Sequence, residues 1–87
     1  MFKSEASEMK LKKELGQMLC ANHLTKREVE LLFYWINDHD YREIGDILLI
    51  SEKTVRKHIQ NINLKLGTHS KSGILMLIVL YLLENIV

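Results

Sequence analysis

Residues 51–67 read SEKTVRKHIQNINLKLG, and this stretch decides the fold. Val55, Ile59, Ile62 and Leu66 recur at i, i+4, i+7 and i+11, which places them on one apolar stripe of a helix. Lys53, Arg56, Lys57 and Gln60 fall on the opposite side. Ser51 stands where its hydroxyl can accept from an unpaired backbone N–H of the first turn. Ile50 and Val55 flank that cap as a hydrophobic staple. Gly67 sits where a left-handed closing residue is wanted. A helix that buries one side and offers lysine, arginine and glutamine on the other suits the major groove of DNA.

Upstream of this helix, Thr25 and Glu28 have the spacing of a capping box, as do Asp40 and Glu43. Val29, Leu32, Phe33 and Ile36 then predict a helix over about 26–36, closed by the polar turn Asn37-Asp38-His39-Asp40. Ile44, Ile47 and Leu48 predict a short helix over 41–48, with a tight connection at Leu49-Ile50. A short helix, a tight turn and a polar-faced second helix make a helix-turn-helix. Downstream, Thr68 to Lys71 predicts a turn and 72–85 a fourth helix. Residues 1–23 are mixed. Met9, Leu15, Met18 and Leu19 suggest an amphipathic helix broken by Gly16, with the first several residues frayed. The expected division is an N-terminal helical segment or linker at 1–23 and an all-α domain at 24–87.

Eighty-seven residues, 47% of them apolar, permit one small core, and a chain this short gains from outside help such as dimerisation. Net charge is only +1, but its distribution is uneven. Residues 51–71 carry Lys53, Arg56, Lys57, Lys65 and Lys71 against Glu52 alone, whereas acidic residues outnumber basic ones over 24–50. That concentration is the electrostatic footprint of a phosphate-binding face. Cys20 is the only cysteine, so no internal disulfide can form, which fits a reducing cytoplasm. The start, MFKSEASEMK, lacks the apolar run of a secretory signal. The ten apolar residues ILMLIVLYLL at 74–83 fall short of the roughly 17–25 a membrane-spanning helix needs.

Three stretches in order and in register resemble one family. LTKRE at 24–28, REIGDILLIS at 42–51 and KTVRKHIQNINLKLG at 53–67 are similar to the LuxR-type (NarL/FixJ-type) helix-turn-helix domain of bacterial transcription regulators. Its pattern runs L-T-x-R-E, then E-I-A-x-x-L, then S-x-x-T-V-x-x-H-x-x-x-I-x-x-K-L. Ser51, Thr54, Val55, His58, Ile62, Lys65 and Leu66 match it in register. Asp38 departs from a usual glycine, Gly45 from a usual alanine, and THSKSGIL after Gly67 from an Arg and Glu-Ala pattern. The resemblance implies an all-α, four-helix bundle with an additional N-terminal segment, binding double-stranded DNA. Carried over position by position, Arg56, Lys57 and Gln60 face base edges. Ser51, Lys53, Thr54, Asn61, Lys65 and Lys71 lie near phosphates. The family often dimerises through its last helix, which makes Leu77, Leu80 and Tyr81 of helix 72–85 the expected homodimer contacts. RNA polymerase becomes a candidate partner, and no cofactor or membrane is implied.

Other chemistries find little purchase. Cys20 and His23 form one C-x-x-H pair without the third and fourth ligands of a zinc site, and His58 has no metal partner at useful spacing. No Ser/His/Asp or Cys/His set and no glycine-rich phosphate loop point to an enzyme. Trp35 and Tyr34 suit packing better than ligand stacking, and Tyr41 suits exposure as well as a DNA backbone contact. Two other readings stay open. A sigma-factor-like helix-turn-helix would carry a more arginine-rich second helix. A protein-interaction module would use the apolar last helix as its functional surface.

Overall fold

Among the described residues, the starts of α-helices at 26, 41, 52 and 71 each carry a side chain that accepts from an unpaired N–H group, and those caps set the layout. The computed structural model describes residues 5–86. Among them, five helices follow one another with no strand: α1 (Glu5–Ala21), α2 (Lys26–Ile36), α3 (Tyr41–Leu48), α4 (Glu52–Leu66) and α5 (Lys71–Ile86). The frayed start expected at the first residues lies outside this range. Both capping boxes form. Thr25 Oγ1 accepts from the Glu28 N–H at 3.1 Å while Glu28 Oε1 accepts from the Thr25 N–H at 2.9 Å. Asp40 and Glu43 repeat the exchange at 2.8 and 3.0 Å. Ser51 caps α4 by accepting from the Thr54 N–H, and Ser70 caps α5 by accepting from the Gly73 N–H.

The ends of α1 to α4 share one device. Gly67 adopts φ +68, and His23, Asp38 and Leu49 adopt φ of 71, 67 and 59 without being glycine. Each such residue costs about 1–2 kcal/mol of backbone strain. The next N–H in each case reaches back to an open carbonyl of the last turn: Leu24 to Leu19, His39 to Tyr34, Ile50 to Gly45 and Thr68 to Asn63, at 2.9–3.2 Å. Asp38 thus takes the left-handed conformation that the turn requires, with a short polar side chain in place of glycine.

The core gathers one stripe from every helix. Leu19, Leu31, Leu32, Ile44, Val55, Ile62 and Ile74 are fully buried. On α4, Val55, Ile59 and Ile62 face inward and Leu66 closes the stripe half-buried against the same cluster. Where α3 meets the start of α4, the backbones approach so closely that a Cβ on Gly45 would lie 2.7 Å from the Ile50 carbonyl oxygen. One expectation fails at α1. Gly16 does not break it, because the helix runs on through Ala21 and Leu15, Met18 and Leu19 anchor its second half in the core. Packing of those three residues outweighs a propensity loss of about 1 kcal/mol at glycine. On α5, Ile74 and Ile78 point inward, while Met76, Val79, Leu80 and Leu83 remain exposed. Among the described residues, no single helix is long and apolar enough to cross a membrane.

Candidate nucleic-acid interface

Because one side of α4 is locked in the core, the other side is fixed outward. Arg56, Lys57 and Gln60 are exposed on it, and so are Ser51, Lys53 and Lys65, with Thr54, Asn61 and Lys71 half-buried. The structure therefore gathers the three expected base-reading residues on one exposed face and ranges most of the expected phosphate contacts around it. Ser51 and Thr54 are tied to each other, 2.8 Å between their hydroxyl oxygens. Among the described residues, no ion pair engages Lys53 or Lys57.

The other cations already have partners. Lys65 Nζ lies 2.7 Å from Glu28 Oε1, and the Glu28 side chain is only 5% exposed. Burial pushes the Glu28 carboxyl up, but the hydrogen bond and charge of Lys65 together with contacts to Thr25 outweigh it. The net shift is below the ordinary glutamate value. Lys65 thus joins α4 to the start of α2. Lys71 Nζ sits 3.1 Å from Asp38 Oδ1 and 5.6 Å from the centre of the Trp35 ring, tying α5 to the turn after α2. Arg56 pairs with Glu52 one turn earlier at 3.0 Å, and its guanidinium lies 5.1 Å from the centre of the Tyr41 ring. These aromatic and charged groups line an open groove of about 440 Å³ between the starts of α3, α4 and α5. Among the described residues, no cluster of three or more histidine, cysteine, aspartate or glutamate side chains could hold a metal ion.

A family model described as "Bacterial regulatory proteins, luxR family" matches residues 22–78. The chain belongs to the luxR family. That family is one of DNA-binding helix-turn-helix transcription regulators. The chain is 49% identical to the spore germination protein GerE of Bacillus subtilis over 49 residues, which is 56% of this chain and 66% of that protein. It is 49% identical to the Fimbriae Z protein of Escherichia coli K12 over 47 residues, 54% of this chain and 22% of that protein. The transcriptional regulatory protein DegU of Brevibacillus brevis is 41% identical over 49 residues, 56% of this chain and 21% of that protein. The chain thus spans just under two thirds of the first relative and about a fifth of the other two. No solved structure matches it significantly.

Besides the ion pairs of Lys65 and Lys71, the places of Tyr41 and Leu64 on this luxR-family surface were not anticipated from the sequence. Tyr41 underlies Arg56 from a neighbouring helix, a contact that only the tertiary fold creates. Leu64, one turn beyond Gln60, is 79% exposed on α4. Its i+4 spacing from Gln60 was a legible signal, but its apolar side chain fits neither the core stripe nor the basic face. Of the expected dimer residues, Leu80 lies on the exposed stripe of α5, Leu77 is half-buried, and Tyr81 packs against the core.

Proposed function

We propose that the chain binds double-stranded DNA in a sequence-specific manner as a homodimer, with α4 in the major groove and α5 joining the two copies. Arg56 and Lys57 suit guanine O6 and N7, and Gln60 suits adenine N6 and N7. Ser51, Lys53, Thr54, Asn61, Lys65 and Lys71 are assigned to phosphates, which fix register without reading sequence. The observation that carries this reading is the exposed Arg56, Lys57 and Gln60 on a helix whose opposite side is buried at Val55, Ile59 and Ile62. Selection of bound duplexes from a random pool supplies the test. On the selected duplex, Arg56→Ala is expected to cost about 1–3 kcal/mol and to relax preference at one base pair. An equal loss on random duplex would make Arg56 a phosphate contact.

The exposed stripe Met76, Val79, Leu80 and Leu83 favours a second reading, a protein-interaction module. A salt titration separates the two. DNA binding weakens steeply as salt rises, because each phosphate contact releases counterions. A chain that binds no duplex even at low salt would support the second reading.

A further inference from the structure

Arg56 is gripped from two sides. Its Nη2 donates to Glu52 Oε2 at 3.0 Å, and its guanidinium carbon lies 5.1 Å from the centre of the Tyr41 ring. Glu52 stands one turn earlier on α4, whereas Tyr41 opens α3, so two helices fix one side chain. The platform is itself supported: Tyr41 packs against the core, with its ring 6.3 Å from that of Trp35. The pair is nevertheless open to solvent, with the Arg56 side chain 59% exposed and Glu52 47%. An ion pair so exposed contributes little to stability. The dipole of α4 favours an acid in its first turn. On a face that meets phosphates, however, that acid also adds repulsion.

We propose that Glu52 and Tyr41 are positioning residues that hold Arg56 ready to read a base pair and thereby set the specificity at that pair. This rests on the assignment of Arg56 to base reading given above. A loose arginine can swing onto a phosphate, and it loses rotamer freedom wherever it docks. Guanine demands a planar, two-point approach to O6 and N7, whereas a phosphate accepts many approaches. Restricting the guanidinium therefore weakens the unspecific contact more than the specific one. The Glu52 bond occupies one of the five guanidinium donors and leaves four for DNA. Its carboxylate also repels a phosphate from the same place.

The test uses the intact chain and a duplex selected from a random pool, with competition titrations against every single-base variant. Glu52→Ala and Tyr41→Leu are each expected to reduce discrimination at the base pair that Arg56→Ala relaxes, by roughly 2- to 10-fold. Affinity for random duplex should stay level or rise in Glu52→Ala. Tyr41→Phe keeps the ring and should keep discrimination, and Glu52→Gln should fall between. In an Arg56→Ala background, Glu52→Ala should change discrimination no further. Thermal unfolding accompanies each variant. If Tyr41→Leu unfolds, the solvent-exposed Glu52 variants carry the test. Unchanged discrimination in Glu52→Ala, with Arg56→Ala still relaxing one pair, overturns this proposal alone. An equal loss at every base pair overturns it too, because Glu52 would then act on the whole domain. If Arg56→Ala relaxes no pair, the base-reading assignment and this proposal fall together.

Discussion

Single residues carry two tensions in this domain. At Gly45, a methyl group would gain about 1 kcal/mol of helix propensity. It would also meet the Ile50 carbonyl oxygen at 2.7 Å, and a backbone atom yields less readily than a side chain. Overpacking of this kind costs about 1–3 kcal/mol, so Gly45→Ala is expected to lower the unfolding temperature. A rise would show that the α3–α4 turn relaxes freely. At Glu28, the carboxyl is held below its ordinary value of 4.5, so its charged form favours the folded chain. That contribution is complete above about 4.5 and is lost as pH falls through the lowered folded value. Glu28→Gln should therefore unfold at a lower temperature than the parent at neutral pH, with the gap closing in acid. A gap that persists well below pH 4 would remove Glu28 from the acid response.

Among the elements, the lysines around α4 are expected to separate by what already holds them. Lys53 has no ion pair among the described residues, so Lys53→Ala should flatten the salt dependence of log K by roughly 0.9 with little change in stability. Lys65→Ala strips the cation from a buried carboxylate and should cost about 1–3 kcal/mol of stability as well. Unfolding curves beside salt titrations distinguish the two, and an unchanged slope in Lys53→Ala would take Lys53 off the interface. Helices α2 to α5 were legible in the sequence, because their signals are local. Capping boxes at Thr25 and Asp40, Ser51 before α4 and Gly67 after it all depend on residues a few positions apart. At Asp38 the left-handed turn was marked only through the resemblance, which sets a glycine there. Left-handed His23 and Leu49 were not, because nothing in a histidine or a leucine marks that conformation. Long-range pairing was equally silent. Glu28 reads locally as a capping residue, and its bond to Lys65, 37 positions away, exists only once α2 and α4 cross. On the proposed DNA face, α4 could be oriented from periodicity, whereas Tyr41 beneath Arg56 could not.

For the molecule as a whole, Met76, Val79, Leu80 and Leu83 form an exposed apolar stripe along α5. The resemblance marks helix 72–85 as the expected interface, but which face of α5 stands open was beyond periodicity, since the run 74–83 is apolar on every side. A two-fold interface is self-complementary, so one polar substitution is felt twice. Light scattering should show a mass that rises toward two chains with concentration. Leu80→Lys should hold it at one chain and weaken duplex binding while leaving unfolding unchanged. A parent chain that stays monomeric while binding duplex would overturn the dimer. At the opposite end, α1 has a consequence for grafting this domain elsewhere. The family match begins at residue 22, yet Leu15, Met18 and Leu19 lie in the same core as α2 to α5. A splice at Leu24 would uncover side chains worth about 1.5–3 kcal/mol each when buried. The total margin of a folded domain is only about 5–15 kcal/mol. As a unit of exchange, this core is longer than the pattern by which it is recognised, and a splice that keeps it intact must lie upstream of Leu15.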